Sequence, residues 1–141
     1  MKQLTLLLLV VLFTISGCKK DDEPTPDYTS TFVGTWKATT VVEDGQTVSL
    51  IGDPEFAYYL KFKATGVNKV SAILKTVILT DTLDSESGEL NITKSGDTYN
   101  LIEVGTTSSP QNGYLRYTSS NGELKFGSVE NGKTSEFTFK K

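Results

Sequence analysis

The sequence lacks histidine entirely and contains a single cysteine in 141 residues. Histidine is the commonest general base and a frequent zinc ligand, so its absence excludes Ser–His and Cys–His nucleophile systems and histidine metal sites. A lone cysteine cannot form an intrachain disulfide, so packing must hold the fold together. We therefore expect no catalytic residues, no metal site and no cofactor, and we expect that the protein is not an enzyme.

Paired acids and clustered basic residues are also scarce. Glu43 with Asp44, and Asp53 with Glu55, fall at predicted turns, where acids are usually solvated, whereas a glycosidase needs two facing carboxyl groups. The formal net charge is −3, and arginine occurs once. Because nucleic-acid binding needs a basic face, we expect no nucleic-acid partner.

Long apolar runs are absent except at the start of the chain. Lys2 precedes an apolar stretch at residues 4–15, and the small residues Ser16 and Gly17 lead to Cys18. A basic start, a short apolar run and small residues before a boundary are typical of a secretory signal, and the run is too short to span a bilayer comfortably. Residues 1–17 are therefore predicted to be a signal peptide.

The motif Ile15-Ser16-Gly17-Cys18 resembles the lipobox of bacterial lipoproteins, and the following Lys19-Lys20-Asp21-Asp22-Glu23 resembles the export signal of Bacteroidetes lipoproteins. The resemblance implies cleavage before Cys18, a diacylglycerol on its thiol and a fatty acyl group, such as palmitate, on the new amino end. Two or more chains anchor a protein stably in a membrane. We expect residues 18–30, with Pro24 and Pro26, to be a flexible tether. The implied location is the outer membrane, facing the cell surface; a periplasm-facing anchor is the alternative.

After residue 30 the pattern has a period of two, with turn signals at short spacing. Trp36, Ala38, Thr40 and Val42 share one face, and Asp44-Gly45 predicts a hairpin turn. Residues 67–83 are β-branched and predict two strands or one long bent strand. Residues 84–88 are predicted to be a loop, followed by strands up to residue 140. The sequence thus predicts an all-β domain at 31–141 of about eight to ten antiparallel strands, either an up-and-down barrel or a β-sandwich.

The segment Gly34-Thr35-Trp36 resembles the glycine-any-tryptophan signature at the first strand of lipocalins and lipocalin-like lipoproteins. The likeness implies a lipocalin-like barrel in which Trp36 packs across the closed end. Lipocalins usually carry an arginine that stacks on this tryptophan, and Arg116 is the one arginine available for a cation–π contact. We expect no room for the C-terminal helix that lipocalins usually carry.

A barrel of about eight strands can be filled by its own side chains or can hold one small ligand. If it holds a ligand, the resemblance implies a small apolar molecule, with tyrosine hydroxyls fixing its orientation. The predicted lining is the inward aromatic and aliphatic face: Tyr58, Leu60, Phe62, Tyr99, Leu101, Phe126, Phe137 and Phe139. The alternative is a non-enzymatic interaction protein with a filled core, which would contact an envelope protein or a glycan through exposed tyrosines such as Tyr59, Tyr114 or Tyr117.

Overall fold

A computed structural model describes residues 24–53, 55–105, 113–130 and 132–141. These residues form a short helix and nine strands, and none of their helices is long and apolar enough to cross a membrane. The elements, in chain order, are α1 (Thr29–Phe32), β1 (Gly34–Glu43), β2 (Gln46–Ser49), β3 (Phe56–Gly66), β4 (Lys69–Ile78), β5 (Asp81–Ser95), β6 (Thr98–Glu103), β7 (Gly113–Thr118), β8 (Glu123–Glu130) and β9 (Lys133–Lys140).

The strands form one antiparallel sheet in which each strand from β3 to β8 pairs with the next along the chain. The last strand, β9, then pairs with β1 from Lys37↔Lys140 to Glu43↔Ser135, and this pairing closes the sheet. In the described part of the chain, β1 and β3 to β9 therefore make an eight-stranded barrel wall. The predicted up-and-down barrel is confirmed, and the β-sandwich alternative is wrong.

The strands β2 and β3 pair with successive parts of the same edge of β1. Residues 40–43 pair with β2, and residues 34–37 pair with β3. Leu50, which follows β2 directly, is buried in the core with only 7% of its surface exposed, and its amide donates a hydrogen bond of 2.9 Å to the Thr39 oxygen. As a result, β2 is an additional strand at the end of the barrel where the β1–β2 turn lies, which we call the open end.

The opposite end is closed by α1 and by aromatic side chains. The Trp36 indole nitrogen donates a hydrogen bond of 2.9 Å to the backbone oxygen of Phe32, and both side chains are almost fully buried. The Phe32 ring makes edge-on contacts with the rings of Phe62, Tyr99 and Tyr117, with centroids 5.6 to 6.1 Å apart. Edge-to-face pairs of this kind add to the stabilisation from burial alone. Buried aromatic side chains therefore fill the closed end.

Residues just before α1 are bound to the barrel, although the sequence assigns them to the tether. The Asn68 side chain accepts a hydrogen bond from the Tyr28 amide at 2.8 Å and donates one to the Pro26 oxygen at 2.8 Å. Hydrogen bonds from the Thr29 side chain and from the backbone of Thr29 and Asn68 hold the pKa of Asp27 below its ordinary value. The folded part thus begins a few residues before the predicted boundary at 31.

The predicted loop at residues 84–88 is wrong, because the structure extends β5 through it. Leu79, with φ +55°, turns the chain after β4, so residues 67–83 contain the two-strand arrangement. From Asp81 to Glu86 the new strand pairs with β4, and an irregularity in the ladder opposite Ala72 accommodates the extra residues Ser87 and Gly88. All side chains from 81 to 88 are exposed, which explains why their polar pattern resembles a loop.

Candidate functional site

The barrel contains a cavity of about 310 Å³ beside a local separation of β6 and β7. These two strands pair only from Thr98↔Thr118 to Asn100↔Arg116. The end of β6, residues 101–103, is therefore not paired with the start of β7, residues 113–115. Both unpaired segments line the cavity. A volume near 300 Å³ lies at the lower limit of small-molecule pockets. The wall therefore opens at the place where a cavity lies.

Most of the cavity wall is apolar, and its polar groups are few. Residues from β3 to β8 contribute, because the inward positions of the sheet converge here. The apolar members are Leu60, Ala72, Leu74, Leu90, Leu101, Leu115 and Phe126, and the others are Ser85, Glu86, Ser87, Glu103, Gly113 and Tyr114.

Of the eight predicted lining residues, the structure places Leu60, Leu101 and Phe126 at the cavity. Phe62, Tyr99 and Phe139 are instead buried at the closed end, where they fill the core. Tyr58 and Phe137 pack on each other with ring centroids 4.9 Å apart, outside the set of lining residues. Tyr58 and Tyr99, whose hydroxyls were predicted to orient a ligand, therefore do not belong to the lining of this cavity.

The irregularity in β5 shapes the polar part of the cavity. The Ser87 hydroxyl accepts a hydrogen bond of 2.9 Å from the Ala72 amide and donates one of 2.8 Å to the Gly88 oxygen. A side-chain carbon at Gly88 would lie 2.9 Å from a carboxylate oxygen of Glu103. Glycine at this position thus allows the Glu103 carboxylate to lie close to the backbone of β5.

The glycine–tryptophan signature occupies the closed end, as the resemblance implies, but its cationic partner differs. Arg116 lies on the outer face, with its guanidinium 5.6 Å from the Tyr114 ring centroid, and its Nε donates to Asn100. The Nζ of Lys141 lies 5.5 Å from the Trp36 ring centroid and donates to the Thr31 oxygen. The prediction that Arg116 stacks on Trp36 is therefore wrong, and the C-terminal lysine takes that position.

A hydrogen-bonded group of side chains on the outer face ties β7, β8 and β9 together. The Tyr114 hydroxyl and the Lys125 ammonium both donate to the Glu136 carboxylate. Burial raises the pKa of Glu136, but these two hydrogen bonds outweigh burial and leave its pKa below the ordinary value. Burial, together with the hydrogen bond to Glu136, raises the pKa of Tyr114 to about 12. This arrangement joins strands and lies outside the barrel.

Sequence reasoning missed several lining residues for identifiable reasons. Ala72 and Leu74 have the spacing of residues on an inward face. They lie in residues 67–83, however, where the sequence did not show whether one strand ends and a second begins. Ser85, Glu86 and Ser87 lie in the segment 84–88 that was predicted to be a loop. Glu103 lies two residues beyond Leu101 on the same face of β6. The alternation of β6, which places Glu103 on the same face as Tyr99 and Leu101, was the one feature of the sequence that could have identified it. The predicted lipidation residue, Cys18, lies outside the described residues.

Among the described residues, no group of three or more histidine, cysteine, aspartate or glutamate side chains could hold a metal ion.

The fold and the site define a closed antiparallel β-barrel with a mostly apolar cavity. No protein-family model matches the chain, and no curated protein matches it. Among solved structures, the chain is similar to a redesigned β-barrel, b11L5F_LGL, with a TM-score of 0.51 and 16% sequence identity. That match covers 84% of this chain and 98% of the other, and it supports the barrel fold alone.

Proposed function

We propose that the barrel is a non-enzymatic binding module that takes a small apolar ligand into its cavity. The observation that carries this proposal is the 310 Å³ apolar space beside the β6–β7 separation. A core filled by its own side chains would leave no such space, since protein interiors are close-packed with few voids larger than a water molecule. The space corresponds to about ten water volumes.

The test is binding of the uncharged fluorophore N-phenyl-1-naphthylamine by the full-length chain. Ala72→Phe places a ring in the cavity from a buried lining position. Its matched control is Ile73→Phe, because Ile73 belongs to the next position of β4, on the opposite face. We expect the wild type and the control to enhance the fluorescence equally, and Ala72→Phe to weaken binding about tenfold or more, a loss of about 1.4 kcal/mol.

Equal binding by Ala72→Phe and the wild type would contradict the proposal, because the fluorophore would then bind elsewhere, for example to the apolar run at residues 4–15. Circular dichroism shows whether Ala72→Phe keeps its strand content. If it does not, Leu115→Phe provides a second, smaller reduction of the same cavity.

We also propose that the protein is held at the outer membrane, facing the cell surface, through lipid on Cys18. The support is the sequence alone: Ile15-Ser16-Gly17-Cys18 after an apolar run, followed by a charged cluster. Cys18→Ser, expressed in a bacterium with lipoprotein processing, should move the protein out of the membrane fraction and abolish an acyl mass on the first mature peptide. An unchanged membrane fraction would contradict the anchor.

The interaction-protein alternative has one supporting observation. Large apolar side chains on the turns and strand ends of the open end are well exposed: Val48, Ile51, Leu79 and Leu83. Exposed apolar patches of this kind often mark contacts with other molecules. Tyr117, in contrast, packs within the closed-end aromatic group, so the predicted tyrosine patch is not formed as a unit. If this alternative holds, Ile51→Ser would reduce capture of an envelope partner and Ala72→Phe would not.

A further inference from the structure

Three exposed lysines, which we call the lysine face, lie on the outer wall of the barrel: Lys37 on β1, and Lys61 and Lys63 on β3. They point outward because they alternate with inward residues, as the buried Phe62 between Lys61 and Lys63 shows. The ladder places Tyr59 opposite Lys37, and the Lys37 ammonium lies 6.0 Å from the centre of the Tyr59 ring. Positive charge is therefore gathered on one side of the wall.

Within the described part of the chain, no acid forms an ion pair with the lysine face, although acids lie on the neighbouring strands to either side. Each of those acids is paired with a different lysine: Glu89 with Lys69 at 2.8 Å, Asp84 with Lys75 at 3.9 Å, and Glu123 with Lys140 at 3.4 Å. Like charges that lack counter-charges repel one another and attract anions. The lysine face is therefore the part of this wall that an anion would stabilise most.

A shallow cleft of about 370 Å³ lies in the same wall. Three of its lining residues are lysines, of which two belong to the lysine face and the third, Lys75, is the partner of the single lining acid, Asp84. Thr35 and Tyr59 add hydroxyl groups to the lining. Ammonium and hydroxyl groups are donors to phosphate oxygens. The cleft thus has the composition of a site for a phosphate-type anion.

The two ends of the barrel differ in charge in the same sense. Five lysines lie at strand ends of the closed end: Lys63, Lys69, Lys94, Lys140 and Lys141. The acids at this end are fewer: Asp27, Asp97 and Glu123. Among the described side chains at the turns of the open end, five acids surround one lysine: Glu43, Asp44, Asp53, Glu55, Asp81 and Lys133. An anionic surface would therefore attract the closed end and repel the open end.

The chain that precedes the barrel is attached at this positive end. Residues 26–29 are hydrogen-bonded to the β3–β4 turn, where the Asn68 side chain donates to the Pro26 oxygen at 2.8 Å. If Cys18 carries lipid, as proposed above, residues 18–23 can span at most about 20 Å between the membrane and the described chain. The closed end would then lie close to the membrane surface, which favours a lipid bilayer over a soluble polyanion as the partner.

We propose that the lysine face docks the barrel onto anionic lipid headgroups, with the closed end toward the bilayer and the open end away from it. Headgroup phosphates contact the lysines of the outer cleft. The inference goes beyond the proposed cavity function and does not depend on it, and it uses the proposed lipid anchor only for the distance to the membrane. Lysines near an anionic bilayer surface each add to binding, and salt weakens the attraction.

The test is co-sedimentation of the full-length Cys18→Ser chain, which cannot be acylated, with vesicles. One set contains phosphatidylcholine alone, and the other contains equal parts of phosphatidylcholine and phosphatidylglycerol. We expect binding to the anionic vesicles to be about tenfold tighter or more at low salt, and the difference to shrink as salt is added. The apolar run at residues 4–15 is present in both measurements, so it does not contribute to the difference. Equal binding to the two sets would overturn the proposal and leave the lipid anchor untouched.

Single substitutions locate the docking surface. Lys61→Gln and Lys63→Gln each remove one charge from the lysine face and should weaken binding to the anionic vesicles about fivefold. The matched control, Lys133→Gln, removes one charge from the open end and should change binding less than about twofold. Equal losses in all three variants would show that net charge alone acts, and would overturn the assignment. A larger loss in Ile51→Ser, at an exposed apolar residue of the open end, would place that end on the membrane instead.

Soluble anions separate a lipid surface from other sources of negative charge. Glycerol phosphate should displace the chain from the anionic vesicles no more than sodium chloride of equal ionic strength does. A stronger displacement by glycerol phosphate would show that the cleft is a site for a free phosphate ester, and the membrane assignment would be wrong. Tighter binding to the acidic polysaccharide alginate than to the anionic vesicles, at the same concentration of negative charge, would likewise overturn it.

Discussion

Single residues explain the glycine–tryptophan signature in physical terms. Gly34 begins β1 with φ +124°, a conformation that side-chain-bearing residues rarely adopt, and it turns the chain from α1 into the wall. Two residues later, Trp36 points into the closed end and bonds back to Phe32. The sequence motif could be recognised, but the cation over the indole could not be assigned, because only the assembled barrel shows that Lys141, and not Arg116, lies beside Trp36.

We expect Gly34→Ala to destabilise the barrel by about 1–3 kcal/mol, the usual cost of a strained backbone conformation. The new methyl group would also lie 3.2 Å from the Lys141 side chain, which must shift. Urea unfolding followed by Trp36 fluorescence measures the change, because Trp36 is the single tryptophan. Gly66→Ala serves as the control, since its φ is ordinary and its nearest contact is 3.5 Å. Equal midpoints for the two variants would contradict this account of the motif.

Tyr114 is expected to make the stability of the barrel depend on pH. Its pKa is raised from 10.0 to about 12, so the proton is held more tightly in the folded state than in the unfolded state. The resulting stabilisation is complete below the ordinary pKa and is lost as the pH rises toward about 12. Ultraviolet titration of tyrosinate should show one late-ionising tyrosine that is missing in Tyr114→Phe. A titration curve of unchanged shape after that substitution would contradict the Tyr114–Glu136 contact.

At the scale of elements, turn chemistry is what the sequence reveals best. Asp44 and Gly45 both have positive φ, as the hairpin type suggested by Asp-Gly requires, and the Gly122 and Gly132 turns also have positive φ. The residues 84–88 were misassigned because a strand exposed on both faces has the composition of a loop. Its backbone hydrogen bonds come from β4, and such a partner is visible only once the sheet is assembled.

The helix α1 is short, yet it closes one end of the barrel. Phe32 is fully buried and contacts three aromatic rings. We expect Phe32→Ala to cost about 3–5 kcal/mol of stability, as large-to-small core substitutions do. Val33→Ala, at a position with 40% exposure, should cost much less. Thermal unfolding by circular dichroism compares the two, and similar melting temperatures would show that α1 does not act as the plug of the barrel.

At the scale of the whole molecule, the barrel could be predicted and the cavity could not. Alternation and turn spacing define antiparallel neighbours, and closure needs only that β9 meet β1. The cavity depends on where β6 and β7 stop pairing, and on the volume that seven apolar side chains leave unfilled. Neither quantity follows from periodicity. For this reason, five of the eight predicted lining residues lie outside the cavity lining, in the closed-end core or in the Tyr58–Phe137 pair.

The most direct measurement of the central claim is native mass spectrometry of the chain purified from the cells that make it. The account predicts an additional small mass on the folded wild type that is released on denaturation and is absent from Ala72→Phe. A wild-type chain that has no additional mass, and that gains none after incubation with an extract of the same cells, would contradict the claim that the barrel is a ligand-binding module.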